Sequence, residues 1–533
     1  MSAQPRDPLT IPLFRAFWIA ALVSNLGSWM QEVGAAWYMT SLTTSPVLVS
    51  FVQFASTLPL FLFALPAGSL GDIVDRRKIL IYTQISMLAS AAVLSVTAFA
   101  GRGNPFNLLV LTFLFGVGNA IYTPASQAIM PEIVERCEIK SAATLNTAGV
   151  NISGAIGPVL AGFAISLGGP ALTFLLNAVS LLMGIVVAQR WKRRVKPNAL
   201  PVERLVGSIK IGLRFARNAP VFRSLLVRTT LFIVGASAIW ALIPLLRFEM
   251  GLNALTFALL YASFCAGAVV ESFIQPMVRR KWSTDTLTFA STAIYAMATL
   301  VIGLVHNYYY LAVALAIGGG AWLAIVSSYN ASAQLFAPSW VQARALGVYF
   351  LLVFQGGLAI GCVVWGEVAE FTGSSLAFIL AGVVLMACLI PASWFRLAGG
   401  EKLDLSPSMK WPAPTVIAET PSDGPVMVTV QYKIDPENAE EFKRAMDAVR
   451  LERLRDGAFR WELYRRLDDP GLYQEVFVLE SWAEHERQHA RATQTDMVAE
   501  NRARAFIVGG GEPTISHFTA ERARRQGAEA EQP

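Results

Sequence analysis

Glu32 is the ionisable residue whose setting most restricts its chemistry. It lies in an apolar run with Trp29, Met30, Val33, Ala35, Ala36 and Trp37. A carboxyl at bilayer depth is expensive, so it is either satisfied by a partner or used to carry a proton. Proton exchange is the expected role of Glu32. The competing role is a structural carboxyl held by a neighbouring helix or placed near the outer interface. A second set is uncharged: Asn25, Gln31, Gln53, Asn119, Tyr122, Asn146, Asn151, Trp240, Tyr261, Trp322, Tyr329, Asn330 and Gln355. Amides and hydroxyls orient a ligand, and rings offer apolar or cation-π contact. As a set they predict a large, neutral, aromatic cavity for amphipathic molecules, although any one of them alone reads as helix packing. Arg228 and Glu271 fall toward inner span ends, where pairing or snorkelling is expected. Glu249, Glu367 and Glu370 fall toward outer ends.

Two further patterns bear on chemistry. His485-Glu486-Arg487-Gln488-His489 spells H-E-x-x-H, the helical zinc-protease pattern. A catalytic zinc needs a third ligand, and none follows at a suitable spacing. Cys137, Cys265, Cys362 and Cys388 are far apart, without a CxxC pair, so neither a disulfide framework nor a metal site is read from them. No GxxxxGK[ST] loop occurs, which argues against ATP drive by this chain. The expectation is therefore no metal and no cofactor.

The elements that must carry these residues are membrane helices. Of 533 residues, 54% are apolar and 15% charged, where about 25% charge is usual for a soluble domain. Mean hydropathy is +0.48. A span needs roughly 20 apolar residues, and about twelve such segments lie between Phe14 and Phe395, separated by turn signals such as Thr44-Ser45-Pro46, Gly103-Asn104-Pro105 and Gly168-Gly169-Pro170. Lys and Arg concentrate in alternate loops, for instance Arg76, Arg77, Lys78 and Arg279, Arg280, Lys281. The positive-inside rule then places both termini in the cytoplasm, and the net charge of +6 reports membrane topology rather than nucleic-acid binding. The expected division is a first six-helix half at 12–190, a linker at 191–221 with a basic amphipathic helix, and a second half at 222–396. A linker at 397–425, a soluble domain at 426–520 and a disordered tail at 521–533 complete it. A shift of 207 residues aligns Tyr122 with Tyr329, Gly149 with Gly356 and Gly154 with Gly361, as an internal repeat would; few other positions match, so a chance match is the competing reading.

Between the second and third spans runs Gly68-Ser69-Leu70-Gly71-Asp72-Ile73-Val74-Asp75-Arg76-Arg77-Lys78. It resembles the signature loop of the major facilitator superfamily. The resemblance implies gating contacts through Gly68, Asp72 and the basic cluster, with Asp72 set against the start of the eleventh helix near Ser339. Ile73 replaces the usual basic residue and Asp75 the usual Gly. In the fifth span, Gly154, Gly157, Pro158 and Gly162 resemble the Gly-Pro motif of proton-coupled exporters, with Ala161 in place of one Gly. Small residues there permit close helix packing. With Asn25 to Gln31 and Leu175 to Ser180, residues 12 to 396 are similar to the branch holding enterobactin exporters and macrolide efflux proteins. That resemblance implies a twelve-helix all-α membrane fold, alternating access and proton-driven export of a drug-like compound or siderophore across an inner membrane. It leaves import against export open.

After a Pro-rich stretch the composition turns charged. Val426 to Tyr432 alternates as a strand does, and 436–455 reads as an amphipathic helix. Strands at 459–466 and 473–481, a helix at 482–506 and a strand at 514–518 complete a βαββαβ, ferredoxin-like order. The order and the Glu480-Ser481-Trp482 region are similar to small dimeric domains of the antibiotic-biosynthesis monooxygenase type. This implies dimerisation through the domain. It also gives the rival reading, a membrane-tethered enzyme with monooxygenase-like chemistry.

Overall fold

The computed structural model describes residues 7–73, 75–134, 138–191, 205–397, 403–406, 408 and 424–520. Contacts group the chain into two compact units. One comprises Met1–Ser208, Ser224–Ser332 and Gly347–Ala398; the other comprises Ile209–Arg223, Ala333–Leu346 and Gly399–Pro533.

The helices in chain order are α1 (Pro12–Leu42), α2 (Pro46–Ile73), α3 (Arg76–Phe99), α4 (Pro105–Ile133), α5 (Ile139–Arg190), α6 (Leu205–Asn218), α7 (Pro220–Leu242), α8 (Leu246–Met250), α9 (Ala254–Arg279), α10 (Thr284–Leu304), α11 (Tyr308–Leu335), α12 (Gln342–Gly347), α13 (Gly356–Thr372), α14 (Ser374–Ala387) and α15 (Leu389–Trp394). Among the described residues, ten helical stretches are long and apolar enough to cross a membrane. The one in α5 leaves helical geometry at Gly168 and Gly169, where Gly169 takes φ 71°, so it holds two passes. With the 31-residue α1, the passes number twelve. The fold is the expected all-α membrane bundle.

The boundaries follow from local chemistry. Asn104 and Asn253 cap α4 and α9 by accepting from the amides of Asn107 and Thr256, which satisfies donors that hydrocarbon cannot. Asp75, the departure from the family pattern, caps α3 by accepting from the Arg77 amide at 3.0 Å. One pass holds a feature that periodicity did not foretell: a π-helical stretch, Val348–Gln355, joins α12 to α13.

Each half sets a glycine of one pass against a neighbouring pass. A Cβ on Gly154 would lie 3.5 Å from the Trp29 ring of α1, and one on Gly361 would lie 2.1 Å from the Ser237 hydroxyl of α7. The fifth pass is thus in ordinary contact with the first at Gly154, whereas the eleventh approaches the seventh more closely at Gly361.

The second unit contains α6 from Ile209, the connection after α11 and an α+β domain. That domain comprises β1 (Val426–Lys433), α16 (Ala439–Asp456), β2 (Arg460–Arg465), β3 (Leu472–Leu479), α17 (Trp482–Arg491), α18 (Gln494–Arg504) and β4 (Thr514–Thr519). Its antiparallel sheet has the order β2-β3-β1-β4. Phe442, Met446 and Val449 of α16 pack on Val428, Val430, Phe477 and Leu479. The single helix expected over 482–506 is instead two. Thr493 forms a reciprocal capping box with Asp496, and this starts a new helix.

Candidate functional site

Four of the expected cavity residues come together. Asn25, Asn119, Tyr122 and Asn146 line a cavity of about 220 Å³ between α1, α3, α4 and α5 in the first half. Trp18, Gln84, Thr123, Ser126 and Gln127 share the lining, and no Asp, Glu, Lys, Arg or His is among the described residues that form it. Trp18 is held by its indole N–H, which donates to the Leu145 carbonyl at 2.9 Å. The cavity draws on the N-terminal part of α1 and the C-terminal end of α4, so it lies toward one end of the bundle.

At the other end the two halves touch. Arg247 of α8 stacks 3.8 Å over the Trp37 ring of α1 and donates to the Thr40 hydroxyl at 2.7 Å. Glu370, at the end of α13, accepts from the Ser45 hydroxyl at 2.8 Å. Within the second half at this end, Ser374 donates to Glu249. Gly162 of α5 leaves room for Ala258 of α9, since a Cβ there would be 2.5 Å from the Ala258 Cβ. Gly157 does the same for Trp29, at 2.5 Å from its Cβ, while Pro158 stands inside α5 beside it.

Glu32 lies between this closed end and the cavity. It is half-buried, hydrogen-bonds Gln53 of α2, and sits close enough to Tyr261 and Cys265 of α9 to interact with them electrostatically. It therefore belongs to the seam between the halves rather than to the cavity lining.

The other expected cavity residues stand elsewhere. Trp322 is the centre of a ring cluster in the second half, with Trp240 at 5.6 Å, Phe232 at 5.8 Å, Phe354 at 6.0 Å and Tyr295 at 6.1 Å between centroids. Tyr329 is buried against Phe232, and Tyr261 against Phe257. Gln31 is buried and accepts from the Asn177 amide at 2.5 Å. Asn330 accepts from the Tyr349 hydroxyl at 2.9 Å. Asn151 is exposed on α5, and Gln355 ends the π-helical stretch. Arg228 is an internal strut: it pairs with Asp285 and donates to the Thr288 hydroxyl at 2.7 Å.

In the signature loop, Arg76 pairs with Glu132 at 3.0 Å, and Arg77 donates to the Ala188 and Gln189 carbonyls at the end of α5. Cations at a helix C-terminus complement its dipole. Lys78 follows in the first turn of α3. The side chains of Gly68 and Asp72, and with them the contact expected near Ser339, lie outside the described residues.

Residues that the sequence reading passed over include Gln84, Trp18 and the Arg247–Trp37 pair. Gln84 stood out only as a polar residue inside a span. Its seat, Gly184, is on a different helix, and nothing in the linear pattern joins the two.

In the second unit, His485 and His489 share a face of α17 with their Nε2 atoms 3.2 Å apart, and His517 of β4 lies 4.9 Å from His485 between centroids. Burial, followed by the neighbouring His489 and His517, pushes His485 down to about 3. Burial also lowers His489, to about 4. Both rings are neutral near pH 7. Glu486, the base in the zinc pattern, instead accepts from the Trp482 indole at 3.0 Å. Among the described residues no group of three His, Cys, Asp or Glu side chains is arranged to hold a metal ion. Glu484 is the main ionic node. It accepts from Arg491 at 2.7 Å, from Arg487 at 2.9 Å and from Arg214 of α6 at 3.1 Å.

The comparisons agree with this architecture. The profile of the transmembrane secretion effector family matches residues 3–526. The multidrug efflux pump Tap of Mycolicibacterium fortuitum is 26% identical over 72% of this chain and 96% of its own. The enterobactin exporter EntS of Citrobacter koseri is 23% identical over 73% of this chain and 94% of its own. Among solved structures, a bacterial homologue of the human lysosomal transporter Spinster, in an inward-facing and unoccupied conformation, superposes with a TM-score of 0.59 at 14% identity, over 74% of this chain and 98% of its own. With twelve passes in two related halves and a family profile spanning nearly its whole length, the chain belongs to the transmembrane secretion effector family of major facilitator superfamily transporters.

Proposed function

We propose that this transporter exports an amphipathic small molecule, drug-like or siderophore-like, across a bacterial inner membrane by proton antiport with alternating access. The observation that carries the reading is an uncharged cavity toward the end of the bundle bearing Arg76, Arg77 and Lys78, while the halves are joined at the opposite end. Basic loops mark the cytoplasmic face, so the cavity opens for loading from inside, with both termini on that side. Tap and the enterobactin exporter, named for efflux and export, support the outward direction. Glu32 is the proton carrier in this scheme. It lies on the seam that must part when access alternates, so its solvation changes with the conformational state. Of the remaining polar residues, Gln31 and Asn330 serve as helix contacts within their own halves, and the α+β domain is an accessory module capable of pairing with a second copy.

The test is accumulation of a compound panel in cells expressing wild type or Glu32→Gln at equal membrane levels, with and without an uncoupler. Reduced accumulation with wild type, abolished by the uncoupler and by Glu32→Gln, is expected. Equal export by both proteins removes Glu32 from the coupling step, and no export of any compound removes the efflux reading.

A further inference from the structure

The structure assigns Gln84 as a ligand-binding residue for the hydroxyl group of an uncharged, amphipathic molecule seated in the first-half cavity; the inference rests on the export reading and names the substrate chemistry. Gln84 is only 4% exposed, on α3, and lines the cavity. Its side chain hydrogen-bonds Tyr122, yet its Oε1 has no partner among the described residues. A buried amide carbonyl left unmatched carries a desolvation cost; in its seat against Gly184 the Oε1 is closed off, so a donor in the adjoining cavity reaches it, and offsets that cost, when the amide turns toward the cavity.

The seat is built. A Cβ on Gly184, across in the second pass of α5, would lie 2.5 Å from Gln84 Nε2 and 2.7 Å from Oε1, so this glycine leaves room for the amide where it now lies. Asn25, Asn119 and Asn146 add further amides around the same space, and Trp18 adds an apolar wall. The lining carries no carboxylate to neutralise a cation and no Lys or Arg to hold an anion. A hydroxyl suits it better than either ion: it donates to Gln84 Oε1 and accepts from an asparagine amide, while the hydrocarbon body rests against the ring. A site built to bond a hydroxyl rejects the analogue lacking it far more strongly than an apolar pocket rejects a missing methylene, because the protein group is then left unmatched.

The experiment uses the full chain in lipid nanodiscs and scintillation proximity binding of tritiated p-menthane-3,8-diol, a neutral ten-carbon diol, beside its tritiated dimethyl ether. Wild type should bind the diol at least about tenfold more tightly than the ether. Gln84→Leu should erase that preference. Asn151→Ala, outside the lining, should leave both affinities unchanged. Equal binding of diol and ether by wild type overturns the inference, as does a preference that survives Gln84→Leu. The outcomes separate the two readings. Proton-dependent export with a Gln84-independent diol preference refutes the site alone, whereas Gln84-dependent binding in a protein that exports nothing refutes the export reading alone.

Discussion

Replacing Gly162 by alanine should force the two halves apart at their closed end. The added Cβ would sit 2.5 Å from the Ala258 Cβ and 3.4 Å from the Ala254 carbonyl. Carbon atoms pack at about 3.5–4.0 Å, so α5 and α9 must separate by roughly 1 Å or the closed arrangement must be abandoned. Overpacking of this kind costs about 1–3 kcal/mol. Because the clash exists only where the halves touch, that cost falls on one conformational state, and about 1.4 kcal/mol shifts an equilibrium tenfold. A reporter is available at Val49, buried to 1% in the first turn of α2 at the same end. In a Val49→Cys protein, a membrane-impermeant maleimide applied from outside should react about 5- to 150-fold faster when Gly162→Ala is present, for a cost of roughly 1–3 kcal/mol. A rate unchanged within twofold, in a protein inserted at normal levels, refutes the claim that this contact holds the closed end.

Arg247→Gln removes the stack over Trp37, worth about 0.5–2 kcal/mol, so it should also raise Val49→Cys labelling from outside, with Arg247→Lys between it and wild type. Arg214→Ala and Glu484→Gln should couple by about 1.5–3 kcal/mol in a double-mutant cycle read from hydrogen-exchange protection of α17 in the full chain, because the pair is mostly buried and charge-assisted. Burial first, and then the Asp496 carboxylate, pushes Glu452 up to about 9. Folded protein therefore keeps a proton that unfolded chain has lost, and stability of the α+β domain falls as pH rises from about 4.5 toward 9; Glu452→Gln should flatten that slope and add on the order of 1–3 kcal/mol at pH 8, again by hydrogen exchange. His485 and His489 act in the acid range: their folded values near 3 and 4 lie below the unfolded value near 6.5. The domain's protection should therefore fall as pH drops below about 6.5, and less steeply in His489→Gln.

The membrane bundle was legible because its signals are local and repeated. Span length, Gly-Pro breaks and loop charge each depend on neighbours in the chain, and the break at Gly168–Gly169 fell between two expected spans. The βαββαβ order was legible from alternation and amphipathic period. The site was less so. Asn25, Asn119, Tyr122 and Asn146 were singled out as polar residues in apolar runs, and they do converge. Trp240, Trp322 and Tyr329 were singled out by the same criterion, but aromatic rings satisfy themselves in a core as readily as they wall a cavity, and sequence does not tell the two apart. Gln84 was passed over because its meaning depends on Gly184, one hundred positions away. The split of the helix over 482–506 was missed because Thr493 and Asp496 read as ordinary polar residues until their side chains close a box.

The chemistry of the two halves is one-sided. Gly154 faces Trp29 of the first pass, and Gly361 faces Ser237 of the seventh. The repeat also pairs Tyr122 with Tyr329, yet Tyr122 lines a cavity with amides while Tyr329 lies in the cluster of Phe232, Tyr295 and Trp322. The second half fills with rings the volume that the first leaves hollow and polar. A filled half is stiff, because interlocked rings cannot shift one at a time. A hollow half, with an unmatched Gln84 carbonyl, gains contacts when a ligand enters. Ligand binding should therefore reorganise the first half against a fixed second half, and the proposed proton carrier Glu32, on α1 of the half that changes and near Tyr261 and Cys265 of α9 in the half that does not, is the carboxyl whose surroundings that movement would alter.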